Sequence, residues 1–86
     1  MQIKTRTDWW IVLSNEWSNL QLIFAKFLTS KGEEQAREAF VNRDETLMLS
    51  VLNNAWWNAP DNPSIHEIPG WNTLCDLCSE SWVFDE

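Results

Sequence analysis

"WWIVLSNEWSNLQLIFAKFL", residues 9–28, decides the fold class, because its apolar residues can be read at the period of a helix or in part as a strand. Trp10, Leu13, Trp17, Leu20, Phe24 and Phe27 recur at steps of three and four, which at 100° per residue makes one continuous stripe, with Leu28 completing it. That spacing predicts one long helix from Trp9 to Ser30, about 22 residues and about 33 Å at 1.5 Å per residue. Thr7 or Asp8 is placed to cap its start, and Lys31 followed by Gly32 makes a fitting end. The competing reading is a buried strand at "WWIVL" with a helix only after Ser14, since a short apolar run has no distinctive period. The lead "QIKTRT" alternates Ile3, Thr5 and Thr7 and reads as a short extended segment.

Helical patterns continue downstream. "EEQAREAF", residues 33–40, gathers Ala36, Ala39 and Phe40 on one side, with glutamates early, where a helix N-terminus favours them. Asp44 is an N-cap candidate for "ETLMLSVLNNAWW", whose Leu47, Met48, Val51, Leu52 and Ala55 form a third apolar face that must stop before Pro60. "NAPDNPS", residues 58–64, is the one linker-like stretch. Ser64 and Glu67 have capping-box spacing, yet Pro69 and Gly70 leave room for only a turn of helix. The tail after the linker is too short for a core of its own and must dock on the rest. Residues 1–86 therefore read as a single all-α domain, a bundle of three to four helices around an aromatic-rich core.

The last segment, "WNTLCDLCSESW" (residues 71–82), carries a Cys-x-x-Cys. With Asn72 as N-cap and Trp71 at 0° on a helical wheel, Trp82 falls at about 20°, Cys75 at about 40° and Cys78 at about 340°, while Thr73, Asp76 and Glu80 lie at about 140–200°. Both thiols then share an apolar face with both tryptophans, and the spacing is expected to reflect core packing. A redox Cys-x-x-Cys places its first thiol at a helix N-terminus after a strand; here Cys75 is deeper, beside Asp76. Zinc is a lesser alternative in which Cys75, Cys78 and the sole histidine, His66, would need a carboxylate such as Asp61 or Glu67 as fourth ligand. His66 reads more simply as an exposed turn residue. Two glycines cannot build a phosphate cradle, and the Pro-Gly break separates His66 from the nearest thiol, so no catalytic residue and no cofactor is expected.

Charge is the strongest pointer to a partner. The net charge is −7, yet residues 1–43 hold six basic and five acidic residues. Residues 44–86 hold eight acidic residues (Asp44, Glu45, Asp61, Glu67, Asp76, Glu80, Asp85, Glu86) and no Lys or Arg. Such a half repels phosphates and attracts basic surfaces. Direct binding to nucleic acid is not expected, because the few bases are scattered. No apolar run is long enough for a membrane span, and the start of the chain lacks a signal-peptide core, so a cytoplasmic protein with reduced cysteines is expected.

Seven tryptophans divide between core and surface. Trp10, Trp17, Trp71 and Trp82 fall on apolar stripes. Trp9 and Trp10, like Trp56 and Trp57, are neighbours whose side chains leave a helix about 100° apart, so at least one of each pair lies at the edge of the core or outside it. Exposed Trp is a frequent anchor of protein interfaces, although Trp57 could equally cover the turn at Pro60. The expected contact set is Trp56 and Trp57 with the eight carboxylates, directed at a basic surface of a protein or nucleoprotein complex. In size and charge the chain resembles the phage- or plasmid-encoded inhibitors that include anti-CRISPR proteins, nuclease immunity proteins and DNA mimics, a resemblance of type. It implies a non-enzymatic inhibitor. The alternative is an adaptor that self-associates, for example as a homodimer, through its tryptophans.

Overall fold

A computed structural model describes residues 3–85. Five α-helices and two short 3-10 turns follow one another, and the described residues form no strand. The helices are α1 (Arg6–Asn15), α2 (Trp17–Phe27), α3 (Ser30–Asn42), α4 (Glu45–Asn58) and α5 (Trp71–Ser79), with 3-10 turns at Pro63–Glu67 and Ser81–Phe84. The class is all-α as the periodicity predicts, with more helices than the three to four expected.

The extra helix comes from dividing the long first one. Glu16, at φ −103° and ψ 12°, ends α1 and starts α2. A straight helix would carry one stripe along one direction; the break lets the two pieces bury different faces. In α1 the buried residues are Trp9 and Leu13, which pack on α5, whereas α2 buries Leu20, Ile23 and Phe24 against α3, α4 and α5. Trp9, and not Trp10, is thus the fully buried member of its pair. "WWIVL" is helical, so the strand alternative does not hold.

Local hydrogen bonding fixes the helix ends. Thr5, in extended conformation, caps α1: its hydroxyl accepts from the Asp8 amide at 3.1 Å, and the Asp8 carboxylate accepts from the amides of Lys4 and Thr5. The cap therefore lies ahead of the expected Thr7 or Asp8, with Asp8 acting from the third helical position of a capping box. Of the lead expected to be extended, Thr5 is so at φ −133°, Arg6 and Thr7 already belong to α1, and Gln2 lies outside the described residues. Lys31-Gly32 does not end a helix. α2 stops when Leu28 turns extended, and Thr29 caps α3 by accepting from the Gly32 amide at 3.2 Å.

Asp44 caps α4 as expected, accepting from the Leu47 amide at 3.1 Å, and the buried face of α4 is Met48, Val51, Leu52 and Ala55. Ala36 and Ala39 are the buried residues of α3, which packs on α4. Small side chains there permit close approach of the two helices. Outside this seam Phe40 stacks on Trp17, with ring centroids 4.1 Å apart and planes 9° from parallel. Arg43 takes the left-handed conformation that ends α3 and lays its guanidinium over Trp10 and Phe40, 5.1 and 4.9 Å from the ring centres.

The tail docks as its length requires. Trp71, Leu74, Leu77 and Val83 are buried, and Phe84 packs edge-on against Trp9 at 4.9 Å. Gly70 starts α5 in place of the expected Asn72; its φ of +85° is a conformation glycine adopts without strain. α5 also ends earlier than the wheel supposed, at Ser79, so Trp82 leaves the apolar stripe and is 45% exposed. The true buried face centres on Leu74 and Leu77 and includes Thr73, which the wheel had set on the acidic side. Asn62, rather than Ser64, caps the 3-10 turn before it.

Candidate functional site

The C-terminal end of α4 is where the sequence releases its aromatic side chains. Met48, Val51, Leu52 and Ala55 occupy the inward face, so the next two residues rotate away from it. Trp56 is 45% exposed and Trp57 75%. Both members of this pair lie outside the core, with ring centroids 5.2 Å apart and planes at 87°. The helix then terminates at Asn58, whose side-chain amide donates to the Phe27 carbonyl at 3.0 Å and ties the end of α4 to the end of α2.

Together with the following turn, these indoles border an open groove of about 470 Å3. Trp56 and Trp57 stand on one side, Pro60 and Asp61 on the loop, Ile65 and His66 on the 3-10 turn, and Trp71 and Cys75 on α5. Trp71 is itself buried, with Phe27 packed edge-on against it at 6.0 Å. Trp57 lines the groove beside Pro60 while remaining mostly exposed. Trp56, Trp57 and Asp61 are the expected contact residues that the fold brings together. Trp71, His66, Cys75 and Ile65 complete the groove without having been singled out for it; the signal was the position of "WW" directly before the proline-rich loop.

The other expected contact residues are dispersed. Asp44 spends its carboxylate on the α4 cap, and Glu45 pairs with Arg6 at 3.7 Å. Both stand at the opposite end of α4 from Trp56, about 17–18 Å away at 1.5 Å per residue. Glu67 is exposed on the 3-10 turn and Asp76 on α5. Glu80 ends α5 and accepts from the Trp82 indole. Asp85 is exposed after the final turn, and Glu86 lies outside the described residues.

The thiols are free and half-buried, less enclosed than the core packing expected of them. Burial pushes Cys78 up to about 11, with the neighbouring Cys75 adding to the effect. Burial also raises Cys75, followed by the negative charge of Asp76, with Trp56 partly offsetting both. Thiols held neutral in this way are poor nucleophiles and poor ligands. Among the described residues no three His, Cys, Asp or Glu side chains converge to hold a metal ion, so the zinc arrangement does not form there. His66 is exposed, as expected of a turn residue, and its Nδ1 lies 3.1 Å from Asn72 Oδ1.

No helix among the described residues is long and apolar enough to cross a membrane. No protein-family model, curated protein or solved structure matches the chain. Its surface chemistry therefore carries the functional argument.

Proposed function

We propose that this protein is a small acidic binding protein that occupies a basic, nucleic-acid-contacting surface of a host nuclease or defence complex, in the manner of anti-CRISPR proteins, immunity proteins and DNA mimics. One observation carries the reading: two exposed, adjacent indoles border an open groove beside Asp61, in the half of the chain that has no Lys or Arg. Exposed apolar groups of this size on a small domain mark contact sites. The dispersed carboxylates steer a basic partner toward that face, and the indoles supply the desolvated anchor. On this reading the activity is occupancy and not chemistry.

The test is capture from a bacterial lysate with the wild-type protein and Trp57→Ala side by side. The expected result is a nucleic-acid-binding protein retained by the wild type, lost with the variant, and released both by added salt and by duplex DNA. A partner indifferent to salt and DNA rejects the reading. So does light scattering that shows a stable homodimer with Trp57 protected, which establishes the self-associating adaptor instead.

A further inference from the structure

We infer that the groove between α4 and α5 receives an arginine side chain of the partner protein, its guanidinium set against Trp56 and Trp57 and paired with Asp61. The inference rests on the binding-protein reading above and names the chemistry that the groove selects.

Both indoles line the groove, set edge to face at 87°, and a cation within about 6 Å of an indole centre is attracted by its ring quadrupole. The molecule already uses this contact elsewhere. Arg43 lies over Trp10 and Phe40, and Arg6 over Phe84 at 5.8 Å. Among the described residues no cation lies over Trp56 or Trp57, and every Lys and Arg of the chain precedes Asp44. The one ion pair among the described residues joins Arg6 to Glu45, so Asp61 has no cationic partner there. A groove with aromatic walls and a carboxylate at its edge is thus complementary to a flat cation.

Arginine fits better than lysine for physical reasons. Its planar guanidinium stacks on an indole while offering a fork of N–H donors to a carboxylate, and it is less strongly hydrated than an ammonium. The volume, about 470 Å3, is in the range of roughly 300–1,000 Å3 that small-ligand sites occupy, ample for one side chain with its flanking backbone.

The experiment titrates the intact protein with N-acetyl-arginine amide while the tryptophan indole N–H signals are followed by nuclear magnetic resonance, with Trp56 and Trp57 assigned by substitution. Saturable shifts confined to the groove are expected, with the neutral citrulline analogue inert and the lysine analogue weaker. Asp61→Asn should weaken the arginine probe about two- to fivefold, as an exposed ion pair does. Trp57→Ala should weaken it by a similar about two- to fivefold, the worth of an exposed cation–π contact. Equal response to citrulline, preference for lysine, or indifference to Asp61→Asn overturns the assignment. An arginine-rich peptide that binds while Trp56 and Trp57 stay unmoved also overturns it, yet leaves the acidic-surface reading standing; failure of the lysate capture removes that broader reading independently.

Discussion

Trp9 on α1 donates its indole N–H to the Leu77 carbonyl on α5 at 2.9 Å, a buried bond between residues 68 apart in the chain. Leu77 lies in the last turn of α5, where helical carbonyls lack partners within the helix. One side chain thus fills the core and satisfies the end of the docked tail. Trp9→Phe keeps most of the apolar volume and removes the donor. A loss of about 2 kcal/mol is expected, from the missing bond and the buried carbonyl it strands. Urea unfolding of the pair measures it; an unchanged midpoint would show that the tail docks without this bond.

Asp44 is a carboxylate of the acidic half that works within the fold. Its side chain accepts the Leu47 amide, so Asp44→Ala should cost about 1 kcal/mol. For a domain near this size that lowers the melting temperature by about 4–8 °C. Asp44→Asn keeps the acceptor oxygen and should restore most of the loss. If Asn fails to rescue, charge and not capping is what the position supplies.

Gly70 is where the loop must turn tightly enough to start α5. Its φ is +85°, and an added Cβ would lie 2.8 Å from Asn19 Cβ and 3.6 Å from Ile23 Cδ1 on α2. Gly70→Ala meets both the left-handed penalty of about 1–2 kcal/mol and overpacking of about 1–3 kcal/mol. Thermal melting should therefore show one of the largest losses for any single added methyl group. A neutral outcome would mean that the α2–loop contact gives way easily.

Cys78 predicts how stability varies in alkali. Its ordinary value of 9.0 is raised to about 11 by burial first and by Cys75 second, so the native state holds a proton that the unfolded chain releases earlier. The sign follows from linkage: this contribution is fully present below about pH 9 and is lost as pH rises toward about 11. Cys78→Ser removes the titrating group. Denaturation midpoints at pH 7, 9 and 10.5 should fall more steeply for the wild type than for the variant, and parallel profiles would contradict the burial argument.

How far the sequence was legible depended on whether local physics or tertiary packing set each feature. Asp44 and the Met48–Val51–Leu52–Ala55 face were readable because cap and stripe act within a few residues. The break at Glu16 was not, because the sequence around it continues a helical stripe in both directions. The break accompanies a tertiary difference: Trp9 reaches Leu77 on α5, while α2 buries Leu20, Ile23 and Phe24. The wheel for residues 71–82 failed by the same cause, since it assumed unbroken helix through Trp82 and the chain tightens into a 3-10 turn at Ser81. At the groove, the acidic, base-free composition and the paired indoles were visible. The convergence of Trp71, His66 and Cys75 on them was not, because it depends on the tertiary packing of α5 beside α4 and the 3-10 turn.

Trp57 and Trp9 are the same residue type with opposite expected behaviour, and that contrast tests whether the exposed indole belongs to the fold. Trp9 is fully buried, and Trp9→Ala should cost about 3–5 kcal/mol, enough to unfold much of a small domain. Trp57 is 75% exposed and touches Trp56 edge-on, so Trp57→Ala should change stability by no more than about 0.5 kcal/mol. Parallel urea titrations give both values. If Trp57→Ala proves nearly silent in stability and abolishes capture of the partner, the indole is held outside the core for recognition. If it destabilises the domain as a core residue does, the loop at Pro60 depends on it, and the groove is a packing feature and not a contact site.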